Sequence, residues 1–170
     1  SGSNIFAGTG DGFNTGGIFL STDNGNSWNL VGFVDTTVTA FVISGNNIFA
    51  GTNHGIYLTS DNGSSWIPVN NGIFDFDINT LAISDTNIFA GTHGGGVYLS
   101  TNNGQFWDTV STGLTNTIIM SLAINGNNIY AGTFGDGVFL SSNNGSNWIA
   151  INSGISNADI IALGINENNI

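Results

Sequence analysis

Eleven Asp and Glu and two His are the groups with which this 170-residue chain could do acid–base or metal chemistry, because Lys, Arg and Cys are all absent. Asp75 and Asp77 flank Phe76. They could reach one cleft as the acid and base of a glycosidase, which needs two carboxylates across the bond it cuts. His54 and His93 each follow a Phe-Ala-Gly-Thr block, and Phe134 holds the matching place later in the chain. The corresponding stretch near the start, Gly10 to Gly17, is longer and carries Asp11, Phe13 and Asn14. Asp11, Phe13, His54, His93, Phe134 and Asp136 are therefore a candidate ring of ligand-binding residues on one loop surface. Two imidazoles and a carboxylate also make a donor set for a metal, but the reading adopted has no metal, no cofactor and no catalytic residue. The remaining acids read as turn residues and solubilising charges.

The formal net charge of −11, with no basic side chain, removes whole classes of function. Nucleic-acid binding draws its affinity from Lys and Arg on phosphates. Docking on anionic membranes needs polybasic segments, and a bidentate grip on carboxylate, phosphate or sulfate needs guanidinium. Disulfides, thiolate catalysis and Cys-type zinc sites go with the missing cysteines. No apolar run reaches the roughly 18 residues of a spanning helix, so no membrane insertion is expected. With only 6% charged residues, the polar surface is Asn, Ser, Thr and Gly. Backbone and amide hydrogen bonds must hold it together.

The elements that position these residues are repeats. Phe6-Ala7-Gly8-Thr9 returns at Phe49, at Phe89 and, with Tyr for Phe, at Tyr130; Trp28, Trp66, Trp107 and Trp148 follow in step. Each unit of about 41 residues holds four short strand signals. An aliphatic run (Val38 to Ile43, Ile78 to Ile83, Ile118 to Ile124, Ile160 to Ile165) precedes the Ile-Phe-Ala-Gly-Thr block. A Gly-Val-Tyr-Leu-Ser-like strand and a strand beginning at the Trp complete it. Asn-Gly and Ser-Gly pairs mark tight turns, and no segment keeps a 3.6-residue period. Four short strands per ~40-residue repeat predict an all-β fold of propeller blades. The chain is one region, 1–170, with units at approximately 4–43, 44–83, 84–124 and 125–165.

An octapeptide separates the third and fourth strands of each unit. It reads Ser21-Thr22-Asp23-Asn24-Gly25-Asn26-Ser27-Trp28 in the first and Thr59 to Trp66, with Asp61 and Gly63, in the second. The third runs Ser100 to Trp107 with Asn102 and Gly104, and the fourth Ser141 to Trp148 with Asn143 and Gly145. The Asp or Asn side chain should accept backbone N–H bonds two residues on, Gly should supply a positive φ, and the Trp should pack under its own hairpin. This Ser/Thr-x-Asp/Asn-x-Gly-x-x-Trp pattern resembles the Asp box, or bacterial neuraminidase repeat, of sialidases, sortilin-type receptors and secreted bacterial propellers. The resemblance implies a β-propeller in which the box is structural and lies away from the binding face. It also implies what is missing. Sialidases of that family grip their substrate's carboxylate with an arginine cluster, and this chain has no arginine.

The ends of the chain look complementary. It begins inside a second strand (Asn4-Ile5-Phe6), and the run 160–165 is a first strand, expected to complete the blade that the N-terminal residues begin. Three closures fit: a four-bladed ring, an eight-bladed ring of two chains, or part of a larger propeller or array. The functional expectation is a non-enzymatic, extracellular or cell-surface module that is structural, assembling or ligand-binding, with self-association or a glycan or protein ligand as its partner. A carbohydrate-binding lectin is the alternative. A glycoside hydrolase using Asp75 or Asp77 comes third.

Overall fold

The computed structural model describes residues 4–10, 16–155 and 157–166. Its strands fall into four antiparallel sheets strung in chain order. The first has three strands, β1 (Ile5–Gly10), β2 (Gly16–Ser21) and β3 (Asn29–Gly32). The second has four, β4 (Val38–Ser44), β5 (Asn47–Thr52), β6 (Gly55–Thr59) and β7 (Ile67–Pro68). The third repeats this with β8 (Ile78–Ser84), β9 (Asn87–Thr92), β10 (Val97–Ser100) and β11 (Asp108–Thr109). The fourth follows with β12 (Ile119–Asn125), β13 (Asn128–Thr133), β14 (Val138–Ser141) and β15 (Ile149–Ala150). All pairings within a sheet are between sequence neighbours, the up-and-down order of a propeller blade. Among the described residues no helix is long and apolar enough to cross a membrane.

The sequence repeat and the blade are offset by one strand. The aliphatic run that ends each unit pairs with the strand after it: Val38 faces Thr52, Ile78 faces Thr92 and Ile119 faces Thr133. The second strands β5, β9 and β13 are apolar on both faces because each blade is covered on both sides. Phe49, Ala50, Phe89, Ala90 and Ala131 are fully buried.

The core accordingly lies between blades rather than inside one. One cluster joins blades two and three, with Phe49, Ile56, Ile78, Leu81 and Trp107 among its members. A second joins blades three and four through Val97, Ile119, Phe139 and Trp148. A smaller third links blades one and two around Ile18, Val38 and Ala50.

Two contacts set the distance between blades. The first is steric. A Cβ on Gly51, Gly91 or Gly132 would meet Ile78, Ile119 or Ile160 of the next inner run at 2.8, 2.6 and 2.6 Å. The block is Ala-Gly-Thr because the following aliphatic strand lies where a side chain would stand. The second is the tryptophan. Trp107 is 1% exposed, and its Nε1–H donates to Val69 O at 2.8 Å, 38 residues back in the preceding blade. Trp148 repeats this onto Val110 O at 2.7 Å. Each backbone N–H adds a bond to the same neighbour, Trp107 to Asn71 O and Trp148 to Thr112 O. The Trp therefore staples its blade to the one before it, and not only to its own hairpin as the turn alone suggests.

Polar side chains reinforce the inner edge. A bulge in β4 and β8 leaves Thr39 and Asn79 as extra residues. Thr39 Oγ1–H donates to Ile78 O at 2.6 Å, and Asn79 Nδ2–H to Ile119 O at 2.9 Å. Blade four has Met120 at that place, and Ser121 Oγ–H reaches Ile160 O instead, at 2.9 Å.

The expected strand at 160–165 is not formed. The segment lies against blade four, with Ile160 N–H donating to Thr133 O and Ile160 packed over Gly132. It holds the place of a following inner strand, and among the described residues no second strand pairs with it. The first sheet likewise keeps three strands, and β1 pairs with β2 alone. Among the described residues no pairing joins the first sheet to the segment 160–165, so the sheets do not close into a ring.

Blade one also departs from the repeat in its outgoing connection. Ten residues run from Trp28 to Val38, against twelve from Trp66 to Ile78. The shorter connection displaces Gly32 and Phe33 onto Trp66, whose buried Nε1–H has no partner. Phe33 compensates by packing on Tyr57, ring centres 4.4 Å apart, and on Trp66 at 6.2 Å. A groove of about 530 Å³ opens between Leu30–Val34 and Gly63–Ser64.

The two indoles should respond differently to loss of their N–H. In urea unfolding, Trp107→Phe should cost about 2–3 kcal/mol, from lost burial and an orphaned Val69 carbonyl. Trp66→Phe should cost roughly 1 kcal/mol less than that, because it also removes an unsatisfied donor.

Candidate functional site

In blades two to four the candidate ligand residues sit on connections between second and third strands, and each of these connections is tied to the incoming link of its own blade. In blade two, Thr37 N–H donates to Asn53 Oδ1 at 3.1 Å and Asn53 N–H to Thr37 O at 3.2 Å. In blade three, His93 N–H donates to Asp77 O at 2.9 Å. In blade four, Phe134 N–H donates to Ile118 O at 3.1 Å, and Asn116 Nδ2–H donates to Phe134 O at 2.5 Å. These bonds place both kinds of loop on one face of the arc. Strand alternation puts the first-to-second hairpins and the octapeptide turns on the other.

On this loop face His54 and His93 are exposed, and the His54 Nδ1 lies 2.9 Å from Asn53 Oδ1. Phe134 is half-exposed, and Asp136 Oδ2 accepts Thr115 Oγ1–H at 2.7 Å. Asp11 and Phe13 lie outside the described residues. His54, His93 and the Phe134–Asp136 pair belong to three successive blades, so they make a row along the arc and not one cluster. Among the described residues no three His, Asp or Glu gather at metal-binding distance.

Asp75 has a defined task. Its Oδ2 accepts Gly94 N–H at 2.6 Å and Gly95 N–H at 2.8 Å, and its Oδ1 accepts Asp77 N–H at 3.2 Å. Both oxygens are tied to the backbone, and the bonds lock the link between blades two and three onto the loop that carries His93. Asn116 does the corresponding work in blade four, its Oδ1 accepting Ile118 N–H at 2.8 Å and its Nδ2–H donating to Phe134 O. Two residues of this face escape the motif-based reading: Phe74, 86% exposed, and Phe76, also exposed. The visible signal was an aromatic pair in a connection that reads Thr115 and Thr117 one repeat later.

The octapeptide turns are nearly superimposable in their bonding. The Ser or Thr at the first position donates to the Asp or Asn Oδ1, at 2.8 Å from Ser21, 2.7 Å from Thr59, 3.0 Å from Ser100 and 2.9 Å from Ser141. The same hydroxyl accepts the N–H of Gly25, Gly63, Gly104 or Gly145 at 2.8–2.9 Å. The Oδ1 accepts the N–H four residues on, not two, from Ser27, Ser65, Phe106 or Asn147 at 2.9–3.0 Å. Asn24, Asn62, Asn103 and Asn144 take left-handed φ values of 55–59° ahead of the glycine.

The choice between Asp and Asn follows from the second oxygen. Where the residue four on is Ser, its hydroxyl donates to Oδ2 at 2.6 Å, as Ser27 does to Asp23 and Ser65 to Asp61. Where it is Phe106 or Asn147, no such hydroxyl exists, and the position holds Asn102 or Asn143. These bonds pull both acids down from 3.8 to about 2, led by the side-chain hydroxyl and then the backbone N–H of Ser27 or Ser65, with Ser21 or Thr59 third. The turns are structural acceptors on the face opposite the histidines.

No family model matches the chain, and no curated protein does. Solved structures do. An ancestral GH74 enzyme superposes with a TM-score of 0.71 at 24% identity, covering 87% of this chain and 22% of that one. A structure of YCF48 bound to D1 peptide gives 0.63 at 16%, covering 81% and 49%. The extracellular domain assigned to a hybrid two-component system of B. thetaiotaomicron gives 0.66 at 22%, covering 91% and 21%. The chain thus spans a fifth to a half of the length of these proteins. The likeness is one of fold: this is a β-propeller arc, and enzymes and binding proteins share it.

The lowered acids fix a sign for acid stability. Their carboxylates are held in the folded state, so the unfolded chain takes up protons first as pH falls. The contribution is complete above about pH 4 and is lost towards pH 2. The double variant Asp23→Asn, Asp61→Asn, which copies blades three and four, should show a flatter urea-midpoint profile between pH 4 and 2, with a lower midpoint than the wild type at pH 7 and convergence towards pH 2.

Proposed function

We propose that this chain is a non-enzymatic, extracellular Asp-box propeller module that works by binding and by self-association. The observation that carries the reading is the bonding of Asp75. A glycosidase acid must present a protonated oxygen to the leaving group, and its partner must face the sugar from the opposite side. Asp75 instead has both oxygens turned onto backbone N–H groups of its own loop system. A carboxylate so held is an anchor. The missing arginine and lysine remove the oxyanion and carboxylate clamps that other hydrolytic mechanisms would use.

The ligand half of the reading rests on the loop face. Phe74, Phe76 and Phe134 project there with His54 and His93, between short, tied loops that hold them in place. Aromatic faces without basic neighbours suit neutral partners, such as sugar rings or apolar peptide side chains. Asp136 stands on the same surface, and the sequence repeat alone adds Asp11 and Phe13 to the proposal. The lectin alternative draws on these aromatics in particular. The extracellular assignment draws on the Asn, Ser, Thr and Gly surface and on the extracellular domain among the fold neighbours.

A glycan array and a peptide library should separate the readings, with Phe74→Ala, Phe76→Ala as the control. Binding that falls at least tenfold in this double variant is expected. A β-glucan-hydrolysing activity that disappears in Asp75→Asn, Asp77→Asn would overturn the non-enzymatic assignment.

A further inference from the structure

The two ends of the arc carry matching deficits. At the front, Trp28 is 42% exposed, whereas Trp107 and Trp148 are buried in the blade before them. Gly25, at the head of the same turn, meets only Trp28, whereas Gly63, Gly104 and Gly145 are covered by Phe6, Phe49 and Val110 of the preceding blade. Ile5 on β1 is 42% exposed, while its counterparts Ile48, Ile88 and Ile129 are buried. Trp28, Gly25 and Ile5 are thus bare on blade one where their counterparts in blades three and four are covered.

At the back, Val138, Ile151, Ile155, Ile160 and Leu163 line an open apolar cleft of about 330 Å³. Their counterparts one repeat earlier are Val97, Val110, Leu114, Ile119 and Leu122, which form the cluster filled by Trp148. One repeat before that, Ile56, Val69, Ile73, Ile78 and Leu81 surround Trp107 in the same way. The cleft is thus the fourth copy of a tryptophan socket whose first three copies hold Trp66, Trp107 and Trp148. Beside it, residues 160–165 hold the place of an inner strand with which no described strand pairs.

We propose that Trp28 of a second copy of this chain fills this socket, head to tail, while residues 160–165 become the missing inner strand of that copy's first blade. The contact continues the interfaces already made inside the chain, and this decides for a second copy over an unrelated apolar partner. The register follows from the inner pairs. Val38 faces Thr52 and Ile43 faces Ile48 in blade two, so Ile160 should face the second copy's Thr9, and Ile165 its Ile5. The Trp28 Nε1–H should donate to the Ile151 carbonyl, as Trp148 does to Val110. The interface is heterologous, so repeating it gives either a closed ring or a ladder. Two edge strands that would otherwise stand open are covered by it. Both copies carry −11, so the apolar contact works against charge repulsion, and added salt should strengthen association.

This inference rests on the self-association half of the proposed function, and native mass measurements separate the two. The full chain should run at twice its 17.6 kDa or as a ladder of that unit. Trp28→Ala and Ile151→Asp should each weaken association on the order of a hundredfold, as expected for a buried tryptophan anchor. Mixed, they should form a one-to-one heterodimer, because each retains the end that the other lacks. That mixture also proves both variants folded. A wild-type chain that stays at 17.6 kDa overturns the inference and the self-association reading together. Oligomers that persist in both variants, or variants that stay apart when mixed, overturn this interface and leave self-association standing.

Discussion

The close approach of each inner strand to the glycine of the preceding blade is the constraint on which this architecture depends. At Gly51, Gly91 and Gly132 the next blade's isoleucine occupies the space of a side chain. That spacing lets Thr39, Asn79 and Ser121 reach carbonyls in the neighbouring blade, and lets the Trp107 and Trp148 indoles reach the carbonyl 38 residues behind them. The blades bury apolar surface only against each other, so no blade has a complete core alone. Stability in such an array is a sum over neighbour interfaces. Among the described residues, the first and last blades each show one face that no other blade covers.

The repeat made the blades legible from sequence. Period, strand count and the Trp turn all have local causes: alternation of apolar residues, the positive φ of Asn-Gly, and the acceptor at Asp23, Asp61, Asn102 and Asn143. The destination of the tryptophans was not legible, since a Trp that follows a turn could as well pack on its own hairpin. Only the three-dimensional offset between blades shows that Trp107 belongs to Val69. The run 160–165 failed as a predicted strand for a related reason. Its residues have the right pattern, but a strand is a property of a pair, and no described strand runs beside it.

The candidate site was legible in outline only. The shared face of His54, His93 and Phe134 follows from the parity of strand alternation and needs no side-chain detail. The role of Asp75 does not. In the sequence, Asp75 and Asp77 look like a carboxylate pair. In the fold, one is an acceptor for Gly94, Gly95 and Asp77 N–H, and the backbone carbonyl of the other accepts His93 N–H. Loop acids in a chain without bases find backbone donors because no cationic partner competes for them. The same shortage explains the turns: Asp is kept where Ser27 or Ser65 supplies a hydroxyl to its second oxygen, and Asn stands where none does.

Blade one shows what happens when a single interface departs from the pattern. Removing two residues from its outgoing connection leaves the steric contact intact, since a Cβ on Gly8 would still collide with Val38 at 2.6 Å. The polar staple is lost, because Trp66 Nε1–H no longer meets the carbonyl that Val31 would offer. Phe6, Phe33, Phe41 and Tyr57 gather around the interface and replace a directional bond with ring contacts. The steric rule is thus the stricter of the two. A glycine that must accept a neighbour's isoleucine has no substitute, whereas an indole N–H can go unpaired at a cost of about 1–3 kcal/mol that aromatic packing offsets. An interface built across two chains would face the same hierarchy: the fit of Ile160 over Gly132 is already in place, and the tryptophan is the part still to be supplied.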